Sequence, residues 1–178
     1  MFLLSFIWDS INYDNLDRYI EYGIVFACKI LGVNDIGWDY AQITGKETEE
    51  ELKIITAYDK EYNAIIVNPY ILRILWDKSK DDEYVLANII AKMSHEVRHA
   101  WQYKNGIFDE SKYSCFKAAG EDYINNEMEI DAFAFEEAVL KFILEDDNAE
   151  IDFGKPQPKI HEKAFELYKK YNFNIGVK

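Results

Sequence analysis

Apolar residues recur at helical spacing along much of this chain. Residues 12–32 carry apolar positions three and four apart, which is the pattern of a helix with one buried face. The same spacing predicts a helix from about 82 to 103, another over 125–145 and a last amphipathic one over 159–171, with a short helix over 70–77. The predicted core of the two central helices comprises Leu86, Ile89, Ile90, Met93, Val97, Met128, Ala132, Phe135, Val139 and Phe142.

Strand-like segments lie between the first two long helices. Residues 52–58 and 62–68 are rich in β-branched and aromatic side chains, and a polar Asp59-Lys60-Glu61 turn separates them, which predicts a β-hairpin. Residues 36–44 are a further candidate strand. The order of elements predicts an α+β fold in which a short antiparallel sheet packs on helices. We expect residues 1–178 to form a single domain.

Charge and apolar content limit the classes of function. The chain has a formal net charge of −13, and its basic residues are scattered, which argues against nucleic acid or an anionic membrane surface as partners. No run of apolar residues is long enough to span a membrane, and the apolar first ten residues lack the basic start of a signal peptide. We therefore expect a cytoplasmic protein in which Cys28 and Cys115 are free thiols.

Two of the three histidines fall in the pattern His95-Glu96-x-x-His99. On a helix, residues four apart lie on the same face, so both imidazoles can reach one metal ion. Glu96 then lies beside that ion, where a carboxylate can activate a bound water. The pattern predicts a zinc site with His95 and His99 as ligands and Glu96 as the catalytic base.

The third ligand is expected to be a carboxylate, because only one other histidine is present. Residues 125–137, which open the next predicted helix, contain Glu127, Glu129 and Asp131. Glu127 and Glu129 are about 200° apart on a helix, so only one can face the histidines. We prefer Glu129, because Glu127 lies in the first helical turn, and both alternatives remain open. Asp131 is the candidate for orienting a ligand histidine from behind.

The HExxH helix followed by a glutamate helix resembles the gluzincin class of zinc metallopeptidases. It is similar to the small single-domain forms called minigluzincins and to the ImmA/IrrE-type domains, and the resemblance covers mainly 52–140. It implies a zincin-like fold in which zinc is held by His95, His99 and a glutamate. It also implies a metalloendopeptidase (a hydrolase) with Glu96 as general base and a peptide or protein as substrate.

Lys92 and Arg98 depart from the family pattern, because charged residues at these helix positions are unusual in active metallopeptidases. An alternative is therefore a zinc-binding regulatory or interaction module with little or no catalysis on the same fold. A metal-free interaction domain is a third hypothesis. Among other residues, Tyr103, Tyr113 and Tyr123 are candidates for stabilising an oxyanion, and we expect His161, Glu136 and Glu137 to face solvent. Sequence alone does not determine the oligomeric state.

Overall fold

The computed structural model describes residues 16–42, 54–78, 82–107, 121–171 and 173. Its helices are α1 (Leu16–Leu31), α2 (Pro69–Lys78), α3 (Asp82–Lys104), the one-turn α4 (Glu121–Ile124), α5 (Glu127–Leu144) and α6 (Pro158–Tyr171). Its strands are β1 (Gly37–Tyr40), β2 (Thr56–Asp59) and β3 (Ala64–Val67). The predicted α+β class is confirmed.

The sheet is mixed rather than antiparallel. β2 and β3 form the predicted hairpin, with Tyr58 opposite Ile65. β1 pairs with the other edge of β3 in parallel, and Trp38 lies opposite the same Ile65. A parallel pair needs a long connection, and here that connection contains β2, so the prediction of an antiparallel sheet was wrong for β1.

The core lies between four helices. α3 packs against α1 on one side and α5 on the other, and α6 covers the far side of α5. The predicted core residues of α3 are all buried, and so are those of α5 apart from the half-buried Phe142. Because α5 has helices on both sides, its charged residues Glu129, Glu136, Glu137 and Lys141 are buried as well.

Several sequence-based expectations lie outside the described residues. These are the apolar residues 1–10, the start of the first helix at 12–15, the loop residues 108–120 with Tyr113, and Cys115. Cys28 is a free, half-buried thiol. Among the described helices, none is both long and apolar enough to cross a membrane. The extent of the domain, 1–178, stays a prediction.

Candidate metal centre

His95 and His99 lie one turn apart on the buried face of α3. Their side chains are only 4% and 3% exposed, and their Nε2 atoms are 3.0 Å apart. The helix continues unbroken through both positions, and the apolar neighbours Met93 and Val97 are fully buried. The local sequence therefore turns both imidazoles into the interior, towards α5.

Glu129 faces the two histidines from α5. Asn126 caps this helix by accepting a hydrogen bond from the Met128 N–H, which places Glu127 in the first turn, where it is exposed. Glu129, half a turn further on, is fully buried, with Oε2 3.4 Å from His95 Nε2 and Oε1 3.4 Å from His99 Nε2. The structure thus places Glu129 beside the histidines and leaves Glu127 outside the group.

Glu136 lies behind His95. Its Oε2 is 3.0 Å from His95 Nδ1, and its Oε1 is 2.6 Å from the Lys92 ammonium. Glu136 is 1% exposed, so the expectation that it faces solvent was wrong. Lys92, an apparent departure from an active-site pattern, therefore provides the countercharge for this buried carboxylate.

Gln102 lies behind His99. Its Oε1 is 2.9 Å from His99 Nδ1, and its amide nitrogen donates to the Met128 carbonyl and to Asp131 Oδ2. Asp131 was expected to orient a ligand histidine. The structure places Gln102 between Asp131 and His99, so Asp131 acts on the histidine through this amide.

Arg98 pairs with Asp131. Its guanidinium donates through Nε at 2.7 Å and Nη2 at 3.1 Å to the two carboxylate oxygens, and Nη1 donates to the Tyr171 hydroxyl at 3.0 Å. It also stacks over Trp101, with 3.9 Å between the guanidinium carbon and the ring centre. This bidentate, buried ion pair joins α3 to α5 and α6.

Glu96 contacts the sheet through both of its carboxylate oxygens. Its two oxygens accept hydrogen bonds from Thr56 Oγ1 and from the Tyr58 backbone N–H, both at 2.8 Å. These contacts tie α3 to β2.

The ligand group is electrostatically coupled. Burial alone would lower the pKa of His95, but Glu129 and Glu136 outweigh burial and raise the pKa to about 10. Burial alone would raise the pKa of Glu129, but His95 and His99 lower it well below its usual range. The buried carboxylate is therefore stabilised by positive charge on its histidine side, which a proton on His95 or a metal ion can supply.

These donor atoms fit a tetrahedral zinc ion. With bonds of about 2.0–2.2 Å, neighbouring donors of such an ion lie about 3.3–3.6 Å apart. Each Nε2 lies 3.4 Å from a different oxygen of Glu129, which matches this range for a carboxylate that offers both oxygens, and the nitrogen–nitrogen separation of 3.0 Å is slightly shorter. Two imidazoles and one carboxylate also form a donor set that suits zinc.

Other candidate residues lie elsewhere. His161 contacts Glu137, whose Oε2 lies 2.8 Å from Nδ1, and this histidine is half-buried rather than exposed. Glu137 is fully buried, which again corrects the expectation of a solvent-facing carboxylate. Tyr103 is exposed, and Tyr123 packs edge-on against Phe133, whose ring contacts His95.

The sequence analysis did not identify Gln102 and Glu136 as partners of the histidines, although their spacing in the chain indicates this role. Gln102 follows His99 by three residues, and Glu136 follows Glu129 by seven, which is close to two full turns. Helical spacing places both on the same faces as the ligands. Their polar character at these buried positions would have marked them as partners of the histidines.

Comparison with known proteins gives similarity to proteins other than metallopeptidases. Human Speedy proteins E13 and E9 are each 27% identical to this chain over 136 residues, which cover 68% of the chain and 48% of the relative. The chain therefore spans about half the length of the curated relatives it matches. No family model and no solved structure matches it.

This similarity corrects the functional predictions. The matching relatives are Speedy proteins and not metallopeptidases, so the assignment to the gluzincin class was wrong. The predicted metalloendopeptidase activity, the hydrolase and protease description, and peptide or protein substrates are contradicted on the same ground. The alternative, an inactive module on the metallopeptidase fold, is not matched either. The finer description of the fold as zincin-like stays a prediction.

Proposed function

We propose that this chain binds one divalent metal ion, zinc by preference, through His95, His99 and Glu129. The observation that carries the proposal is the convergence of two buried Nε2 atoms and a fully buried carboxylate at 3.0–3.4 Å from one another. Lone pairs at this distance repel unless a cation or a proton lies among them. A zinc ion would supply the positive charge that this arrangement requires.

The surroundings of His95 support a site built for a cation. The Glu136 carboxylate lies 3.0 Å from Nδ1 of this ring, and its negative charge favours a proton on Nδ1, which leaves the lone pair of Nε2 on the side of Glu129. A carboxylate behind a histidine is a common way to orient a metal ligand. Lys92 balances the charge of Glu136, so that Glu129 remains the negative group nearest the proposed ion.

We further propose that the ion is structural and that the protein is not an enzyme. Zinc held by His95 and His99 on α3 and by Glu129 on α5 would link the two central helices of the core. The hydrogen bonds of Glu96 to β2 support a structural role for this glutamate. The similarity to Speedy proteins, rather than to peptidases, favours a non-enzymatic role. A cytoplasmic location, expected from sequence, is part of this proposal.

The first experiment is elemental analysis of the purified protein after zinc reconstitution and removal of free metal. We expect about one zinc ion per chain, and strong loss of zinc in His95→Ala and Glu129→Gln, since each removes a ligand. His161→Ala is the matched control, because this histidine lies on α6 and contacts Glu137 instead. Wild-type protein that binds no zinc, or variants that bind as much as wild type, would overturn the proposal.

A second measurement tests the non-enzymatic part. Zinc-loaded wild type and Glu96→Gln are incubated with a broad peptide library, and cleavage is followed by mass spectrometry. We expect no hydrolysis by either protein, with zinc bound to both. Cleavage by wild type that is lost in Glu96→Gln would show that the ion is catalytic.

A further inference from the structure

We infer that Gln102 fixes the tautomer of His99 and that it makes zinc affinity depend on the docking of α6. This inference rests on the proposed metal site, and it concerns residues that contact no metal themselves. Gln102 is fully buried on α3, one turn beyond His99. Each of its polar atoms has a partner within 3.0 Å.

The hydrogen bonds of Gln102 determine which way its amide faces. The Met128 carbonyl and the Asp131 carboxylate can only accept, so the group that faces them at 2.9 and 2.8 Å must be the amide NH₂. The amide oxygen is then the atom 2.9 Å from His99 Nδ1. Because this oxygen can only accept, Nδ1 must carry the proton, and the lone pair of Nε2 faces Glu129.

Asp131 connects this amide to α6. Its carboxylate accepts from Gln102, from Arg98 and from Lys163 of α6, whose ammonium is 2.9 Å from Oδ1. Arg98 also donates to the hydroxyl of Tyr171, at the end of α6. Two residues of α6, Lys163 and the C-terminal Tyr171, therefore hold the Arg98–Asp131 pair in the position from which Asp131 orients Gln102.

The two histidines differ in this respect. His95 is oriented by Glu136 and Lys92, which belong to α5 and α3. Among the contacts described above, only those that orient His99 involve residues of α6. A disturbance of α6 should therefore loosen one ligand of the metal and leave the other in place.

The test compares zinc affinity, measured by competition with a chromogenic chelator, in the full-length protein. Gln102→Met keeps the length of the side chain and removes its hydrogen bonds, and we expect zinc affinity to fall by about 10–100-fold. Lys163→Met, at a half-exposed position, should lower it by a smaller factor. Lys159→Met on the same helix, where the side chain is exposed, is the matched control and should leave affinity unchanged.

A second readout separates this inference from the proposed function. In the metal-free protein, side-chain ¹⁵N NMR should show the proton of His99 on Nδ1, and Gln102→Met should abolish this preference while the signals of His161 stay unchanged. If wild type binds no zinc, the proposed function fails, and the tautomer still tests the role of Gln102. Unchanged affinity and an unchanged tautomer in Gln102→Met, or unchanged affinity in Lys163→Met, would overturn the inference.

Discussion

The two carboxylates that lie behind the ligand histidines are each paired with a basic residue. Lys92 neutralises Glu136, and Arg98 neutralises Asp131. Removing one partner of such a pair is costly because it leaves an uncompensated charge in the interior. The two basic residues that depart from a peptidase pattern are therefore the countercharges of carboxylates that orient the histidines.

The Arg98–Asp131 pair should make stability depend on pH. Burial alone would raise the pKa of Asp131, but the Arg98 guanidinium lowers it from 3.8 to about 2. Because the folded-state pKa is depressed, the stabilisation is present above pH 4 and is lost as the pH falls towards 2. Between these values we expect wild type to lose roughly 2 kcal/mol from this group.

Urea unfolding at a series of pH values measures this loss. Asp131→Asn, although less stable at neutral pH, should lose about 2 kcal/mol less than wild type between pH 4 and pH 2. Glu162→Gln, which changes an exposed carboxylate of α6, should follow the wild-type curve. Parallel curves for wild type and Asp131→Asn would show that this ion pair does not stabilise the fold.

Close packing of α1 against α3 depends on a glycine in the middle of α1. A Cβ at Gly23 would lie 2.9 Å from Met93 Cβ, 3.0 Å from the Ile90 carbonyl oxygen and 3.1 Å from Ile90 Cα. Backbone atoms of a buried helix cannot move aside without displacing the helix. The glycine therefore sets the distance between α1 and the helix that carries His95 and His99.

Gly23→Ala should destabilise the protein. Overpacking of a core typically costs about 1–3 kcal/mol, and the better helix propensity of alanine offsets up to about 1 kcal/mol of that. Thermal unfolding measures the net effect, with Glu21→Ala on the exposed face of α1 as the matched control, expected within about 0.5 kcal/mol of wild type. An increase in stability for Gly23→Ala would mean that the helices are further apart than described.

Across the whole molecule, the proposed ion would link α3 to α5, the two helices that contact most of the core. α1 and β2 pack on α3, and α6 packs on α5. An ion that binds only the folded protein stabilises it in proportion to the logarithm of its concentration. Loss of the ion should therefore lower the free energy of unfolding of the whole protein rather than only loosen the ends of helices.

Zinc should raise the melting temperature of wild type. Free zinc at 100 times its dissociation constant gives about 2.7 kcal/mol, which for a chain of 178 residues corresponds to roughly 5–10 °C. A chelator should reverse the shift, and Mg²⁺ should not reproduce it, because Mg²⁺ prefers oxygen ligands in octahedral geometry. Calorimetry of wild type and Glu129→Gln checks this, and an equal zinc response in both would place the bound ion elsewhere.

The sequence by itself determined the local elements. Apolar spacing predicted the faces of α3 and α5, and the β-branched and aromatic residues on either side of a polar turn predicted the hairpin. It also marked His95 and His99 as neighbours, since their spacing is fixed by the helix. These features were predictable because they depend on residues a few positions apart.

Only the tertiary structure decided which polar groups meet across elements. Three such features join residues of different elements. They are the parallel pairing of β1, the approach of Glu129 rather than Glu127, and the contact of Glu136 with His95. Helical periodicity says which residues share a face, but not what lies opposite that face. The HExxH motif and the downstream glutamate helix suggested a peptidase, whereas the comparison over 136 residues gave human Speedy proteins.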